Sequence, residues 1–554
     1  MTFPSRAQFV RFTALPLIAA VMAMSLPAYS QTLPAIGIGS TAPPLGPSAS
    51  PSVSPSATSA LPPALSPALP PTVTPAASNA QTNSVVKVFA TSRAPDTFKP
   101  WVKQSPQEST GSGVVIAGNR ILTNAHVVAY ASLVQIQANG SGEKLTATVV
   151  AIAPGIDLAV LKLDDESFFK LHAPIARASA LPQVKDGVLA YGFPTGGTSM
   201  SITKGIVSRI EYASYNFPIS GLRIQIDAAI NSGNSGGPAI AEDKMIGLAY
   251  SRLSNAQNIG YIIPNEEIEL FLADVADGRY DGKPTLLDEV QTLENPALRA
   301  FLKLDRSVKG IVVHQPYRTD ADYPLKKWDV ITHVGDTPVD DQGMVRAGPD
   351  LRVNMRYAVQ KLAKDSSVPI TVVRGGQSVK FALPLLADRP LVIPDLKGEY
   401  PPYFVYGPVV FSKATIQFTS FMNNNAGSMA AFGFLRSPLI TARGDAPTPE
   451  REELVVISSP FFPHKLAQGY GNATASVIQS VNGVPIRSLA HLVGLLRDTK
   501  EEFVTFVADN RGGETLVFPH KEMVAAVEDI LNDNGVRNQG SPELMGIWQR
   551  KTGQ

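Results

Sequence analysis

The chain has 554 residues, and its 48 Lys and Arg against 47 Asp and Glu leave a net charge of +1. That length allows about three domains with a core each, and the charge balance carries neither a nucleic-acid footprint nor a membrane-surface patch. There is no cysteine, which excludes a thiol nucleophile, a thiolate metal site and disulfides together and leaves catalysis to Ser, His and carboxylates.

Arg6 and Arg11 precede an uncharged apolar run from Phe12 that includes "LPLIAAVMAMSL". The small-residue ending Ala28-Tyr29-Ser30 suits cleavage before Gln31, so residues 1–30 read as a secretory signal peptide. The run is short for a spanning helix and Pro16 interrupts it, so no stable membrane span is expected after cleavage. The destination is periplasmic, with an N-terminal tether if the signal stays uncleaved. Residues 31–84 are dominated by Pro, Ala, Ser and Thr, as in "LPPALSPALPPTVTP", and read as a disordered linker. At about 3.1 Å per residue a polyproline-like stretch of that length reaches on the order of 150 Å.

From residue 85 to 278 short runs rich in β-branched residues recur, among them "SVVKVFAT", "DLAVLKL", "GVLAYGFP" and "MIGLAYS", with turn residues between most of them. This is the pattern of an all-β barrel or sandwich. A helix is predicted from Asn265 to Val275, behind Pro264 and with Glu266, Glu267 and Glu269 in its first turns. Two smaller α+β units follow, at 285–388 and 400–525. "ITHVGDTPV" and "IQSVNGVPI" are each succeeded by a helix and a strand pair, as in a duplicated module. The polar stretch 526–554 reads as a tail.

A serine hydroxyl needs a base to take its proton, histidine suits that task near neutral pH, and a carboxylate must then fix the imidazole tautomer. His126 in "ILTNAHVV", Asp157 in "APGIDLAVLKL" and Ser235 in "NSGNSGGPAI" supply the three in one all-β domain. The stretch Gly233-Asn234-Ser235-Gly236-Gly237 also satisfies the strand-to-helix elbow of α/β-hydrolases. That elbow needs a helix directly after the serine, whereas Pro238 and "MIGLAYS" read as turn and strand. Asp227, in "QIDAAI", is a rival acid, and His172 reads as a surface or turn residue.

The blocks "TNAHVV", "DLAVLKL", "NSGNSGGP" and "IGYIIP", in this order, resemble the signature blocks of Deg/HtrA serine endopeptidases over about residues 85 to 275. The resemblance implies a mainly β fold, a trypsin-like double β-barrel followed by two α+β PDZ-like domains. It makes His126 the general base, Asp157 its orienter and Ser235 the nucleophile, with the amides of Gly233 and Ser235 as the oxyanion hole. The position six before the nucleophile floors the S1 pocket in that fold. Here it is Ala229, and with Ile230 and Ile259 it implies small or medium aliphatic P1 residues. In the first PDZ-like unit "KGIVV" matches a carboxylate-binding loop, which assigns peptide binding to Gly310, Ile311 and Val312. The second unit, opening on "PPYFVYGPVVF", shows no such loop, and the arrangement looks most like the plant-type Deg branch. The expected partners are unfolded proteins or peptides and further copies of the chain in a trimer-based or higher homo-oligomer. No nucleic acid, cofactor or metal is implied. The alternative is a proteolytically silent chaperone or scaffold that keeps the fold.

Overall fold

The computed structural model describes residues 81–550 apart from 196, 217, 251–258, 424 and 425. The signal peptide and all but the end of the linker lie outside the described residues. β1 (Val85–Ser92), β2 (Gln107–Ile116), β3 (Arg120–Thr123), β4 (Ala131–Ala138), β5 (Leu145–Ala153) and β6 (Leu158–Leu163) close into a barrel in the order β1-β2-β3-β6-β5-β4. Alternate residues of these strands, such as Val86 and Val88 or Leu161 and Leu163, turn inward and fill it with Val115, Ile121 and Ile136. β7 (Gly187–Gly192), β8 (Ser201–Ser214), β9 (Ser220–Ile226), β10 (Pro238–Ala241), β11 (Lys244–Tyr250) and β12 (Gly260–Pro264) form the second barrel, in the order β10-β11-β12-β9-β8-β7. The predicted helix follows as Asn265–Asp274, with Ile268 and Phe271 buried in the cluster that joins the two barrels through Val85, Val114, Leu248 and Ile263.

The next sheet contains β13 (Glu289–Thr292), β14 (Ile311–Gln315), β15 (Val330–Val334) and β16 (Thr337–Pro338), with β17 (Met344–Arg346) and β18 (Arg352–Asn354) paired beside it. The helix Arg356–Leu362 leads to β19 (Ser367–Arg374) and β20 (Gln377–Pro384), and the main path is β13-β14-β15-β19-β20. The last unit opens on β21 (Tyr403–Tyr406), β22 (Val409–Lys413) and β23 (Val455–Ile457). It continues through β24 (Ile478–Val481), β25 (Val484–Pro485), the helix Leu489–Asp498, β26 (Phe503–Ala508) and β27 (Leu516–Pro519). The duplication read from the sequence is visible in the strand orders, β16-β15-β19-β20 against β25-β24-β26-β27. A register shift even recurs at matching places, Ile331/His333 and Ile478/Ser480.

Two segments differ from what their sequence suggests. Of the 526–554 stretch, the described residues to 550 fold back as the helices Val527–Asp533 and Pro542–Trp548, burying Ile530, Val536 and Leu544 and laying Trp548 on Phe404 and Tyr406. Its few apolar residues fall where the last unit lacks cover, so a polar average hides a packed element. At the other end Ser84 is already buried, with its hydroxyl donating to Ala173 O at 2.7 Å.

Both α+β units are fastened to the barrels. Lys283 and Glu267, each with only 3% of its side chain exposed, form a buried ion pair, and Glu267 also accepts from Leu222 N at 2.7 Å. Gln360 on the helix Arg356–Leu362 donates to Tyr212 Oη at 2.8 Å. The last unit grips the loop between β1 and β2 with aromatic rings: Phe98 meets Phe418 and Phe421, and Trp101 meets Tyr403 and Phe462. Tyr400 donates to Arg93 O at 2.7 Å and packs against Tyr130.

Candidate active site

The first barrel presents His126 on a single helical turn, Ala125–Val128, that begins where β3 ends. Ala125, Val127 and Val128 are buried, which leaves the imidazole as the outward residue, 48% exposed. Asn124 would ordinarily cap such a turn with its side chain. Instead its amide nitrogen donates to Asp157 O at 2.8 Å. That bond helps to hold Asp157 at φ 58, a left-handed conformation that asparagine and aspartate tolerate better than most residues. From there the buried carboxylate accepts twice from one residue, from His126 N at 2.9 Å and through Oδ2 from His126 Nδ1 at 2.7 Å. With Nδ1 holding the proton, Nε2 is the nitrogen left to act as a base.

The second barrel shapes the serine with glycines. Gly233 (φ 98) and Gly236 (φ 87) adopt the left-handed region on either side of Ser235. A Cβ on Gly236 would run into Ser112 O, one on Gly237 into Tyr191 O, and one on Gly233 into the Phe193 carbonyl. The turn is closed by Asn234 N donating to Asn231 O and Gly237 N to Asn234 O, both at 3.0 Å. Thr195 N donates to Ser232 O at 2.8 Å. Because a trans peptide points its N–H opposite to its carbonyl, this turns the Gly233 N–H away from residue 195. Among the described residues that N–H has no acceptor. Ser235 is almost fully buried, as suits a turn packed between barrels.

The halves meet at Gly111 and Ser112. A Cβ on Gly111 would lie 2.7 Å from Val127 Cγ2, beside His126, and 3.3 Å from Ser235 O. Sequence reasoning named the triad candidates but passed over Ser112, Asn124 and Thr195. The sign of Ser112 was the pair of glycines around it in a strand whose residues from 110 to 116 are otherwise β-branched, which marks a close backbone approach.

The other candidates fall as follows. Asp227 Oδ1 accepts from Ile206 N at 2.6 Å and serves the strand. His172 is half-buried, stacks on Phe168 and reaches Asn83 O. Ala229 and Ile259 are exposed, and Ile230 is half-buried against Gly260. The assignment of peptide binding to Gly310, Ile311 and Val312 needs correction. Ile311 and Val312 are buried and paired on both sides, with Thr292 and Gln291 of β13 and with Ile331 and Val330 of β15. A strand with both edges occupied has no free ladder for a peptide. Gly310 is required for another reason, since a Cβ there would strike Ile331 O. The strands at the ends of this sheet's main path are β13 and β20. Among the described residues no cluster of His, Asp and Glu has a metal-holding arrangement, and no helix is long and apolar enough to cross a membrane.

Residues 111–248 match the trypsin-like peptidase domain family, and residues 392–543 match the PDZ domain family. The chain is 34% identical over 470 residues to protease Do-like 2, chloroplastic, of Arabidopsis thaliana, covering 84% of this chain and 75% of that one. It is 36% identical over 420 residues to protease Do-like 4, mitochondrial, of the same organism, covering 75% and 76%. Among solved structures it is similar to an HtrA-type protease AlgW with decapeptide, at 27% identity and a TM-score of 0.43 over 57% of this chain and 98% of that chain.

Proposed function

The chain belongs to the Deg/HtrA family of serine endopeptidases, and from that premise we propose that it cleaves unfolded or damaged proteins in the cell envelope through His126, Asp157 and Ser235. The observation that carries the reading is the two-point clasp of His126 by the buried Asp157, opposite a serine in a glycine-built turn. In this scheme Ser235 Oγ attacks the peptide carbonyl while His126 Nε2 takes its proton. Asp157 stays ionised and stabilises the imidazolium. The amides of Gly233 and Ser235 receive the oxyanion, a donor pair in which each member is typically worth about a hundred- to a thousandfold in rate. The proton then passes to the leaving amine, and water releases the acyl group by the same steps. No nucleotide or cofactor enters the chemistry.

Ala229, Ile230 and Ile259 shape a pocket for small or medium aliphatic P1 side chains, with no carboxylate at position 229 to select Lys or Arg. The PDZ-like units recognise peptide segments or mediate assembly, and the chain acts as a homo-oligomer built from trimers. The envelope compartment rests on the signal-like residues 1–30, whereas the two Arabidopsis relatives are named as chloroplastic and mitochondrial. N-terminal sequencing of the mature protein from a periplasmic fraction tests it, with Gln31 as the expected first residue.

The activity is tested with unfolded casein, wild type against Ser235→Ala. Cleavage by the wild type alone, and fluorophosphonate labelling of the wild type alone, is the expected result. Suppressed aggregation with no cutting by either protein would establish the silent chaperone in its place. A peptide library that returned Lys or Arg at P1 would overturn the aliphatic pocket.

A further inference from the structure

Ser112 has more bonds than a strand residue needs. It is fully buried in β2, directly across from Lys87 in β1. Its amide donates to Ser235 O at 2.8 Å, and its carbonyl accepts from Thr123 Oγ1 at 2.7 Å. Its hydroxyl donates to Gly233 O at 2.7 Å and accepts from Phe193 N at 2.8 Å. Three of these four bonds leave the first barrel for the turn that carries the nucleophile and for the segment beside it. Lys87 does the same. Its side chain is largely buried, its ammonium donates to Gly197 O at 2.7 Å and lies 5.1 Å from the centre of the Phe89 ring, and among the described residues it pairs with no carboxylate. A charge withdrawn from water is costly to keep, and here its hydrogen bond goes to a carbonyl outside the first barrel.

The bonds form a chain of command. Ser112 holds Phe193, Lys87 holds Gly197, and between them Thr195 N fixes Ser232 O. That last bond sets the plane of the Ser232–Gly233 peptide, and Ser112 Oγ fixes the next carbonyl, that of Gly233. We propose that Ser112 and Lys87 are positioning residues that hold the oxyanion-forming turn of the second barrel from the first. The proposal rests on the protease reading above and assigns it two residues that touch no substrate. Since oxyanion donors act on charge that develops only in the transition state, loosening them lowers kcat and spares KM.

The test uses the full chain as wild type, Ser112→Ala, Ser112→Cys and Lys87→Met. An internally quenched aliphatic-P1 peptide gives kcat and KM. A peptide boronic acid, whose tetrahedral adduct places an oxygen in the hole, is compared with the cleaved product peptide, and melting curves establish that each variant is folded. Ser112→Ala is expected to lower kcat about ten- to a hundredfold and to weaken the boronate by a similar factor, with KM and product affinity within about twofold. Ser112→Cys, which keeps a weaker donor, recovers part of the loss, and Lys87→Met loses about three- to tenfold. Folded variants with wild-type kcat and boronate affinity would overturn the proposal and make Ser112 a satisfied core residue only. Should Ser112→Ala fail to fold, Lys87→Met is measured by the same readouts, and wild-type values in it overturn the proposal equally. A wild type that neither cleaves nor takes the fluorophosphonate overturns the protease reading itself, and the proposal with it.

Discussion

The two barrels build their halves of the site by opposite means. In the first, side chains do the positioning: Asn124 fixes Asp157, and Asp157 fixes His126. In the second, the turn takes its shape from the absence of side chains, because Gly233, Gly236 and Gly237 lie where a Cβ would strike a neighbouring backbone, and the side chains that steady it, Ser112 and Lys87, reach over from the first barrel. A site held by side chains can lose its chemistry while the fold stands. A turn shaped by backbone contact loses both together when one of its glycines is filled, since the atoms that aim the serine also close the packing between barrels.

The largest expected effect is that of Asp157→Asn. Asparagine tolerates φ 58, so the melting temperature should stay within a few degrees while kcat falls about ten-thousandfold, because the imidazole tautomer is no longer fixed. A fall of less than tenfold on a peptide substrate would remove Asp157 from the triad. Gly236→Ala should fail in both respects. Pressed against Ser112 O in a left-handed conformation, it is expected to lose about 2–4 kcal/mol in urea unfolding and at least about a hundredfold in kcat. If it lost activity at unchanged stability, the contrast between the barrels would break.

Asn124→Ala sharpens the contrast at a smaller scale. It removes one buried hydrogen bond to the Asp157 carbonyl and should cost about 1–2 kcal/mol of stability and roughly tenfold in kcat, read from the same two assays. The smallest effect is one of pH. Burial first, and then the negative charges of Asp395 and Glu399 among its neighbours, push the Tyr130 hydroxyl up to about 12. Between the ordinary tyrosine value near 10 and that figure, the unfolded chain has released a proton that the folded chain retains. The stabilisation is therefore complete below pH 10 and lost as pH rises toward 12. Tyr130→Phe should flatten that alkaline decline in urea midpoints measured from pH 9 to 12.

What could be read in the sequence was what is local. His126, Asp157 and Ser235 each stand in a short motif whose own backbone sets their geometry, and the β-branched runs announce most of the barrel strands one at a time, β10 at Pro238–Ala241 being the one read as a turn. The misplacement of peptide binding at Gly310 arose because strand pairing is a long-range property. No local signal tells that Ile311 will be flanked by both Thr292 and Ile331. The 526–554 stretch looks like a tail because four well-spaced apolar residues, Ile530, Val536, Leu544 and Trp548, do more than the polar residues around them suggest. Ser112 carries a legible sign in its glycine neighbours, but they record a contact with Ser235, far along the chain, that only the fold identifies.

The aromatic grip on the β1–β2 loop places a demand on timing. Arg93 and Tyr400 are 307 residues apart, which at 5–20 residues per second is roughly 15–60 s of synthesis. During that interval the barrels can close while Phe98 and Trp101 have nothing to cover them, because Phe418, Phe421, Tyr403 and Phe462 have yet to be made. A nascent chain of this protein therefore passes through a stage in which a finished protease domain displays two sticky rings. Truncation before residue 400 would make that stage permanent.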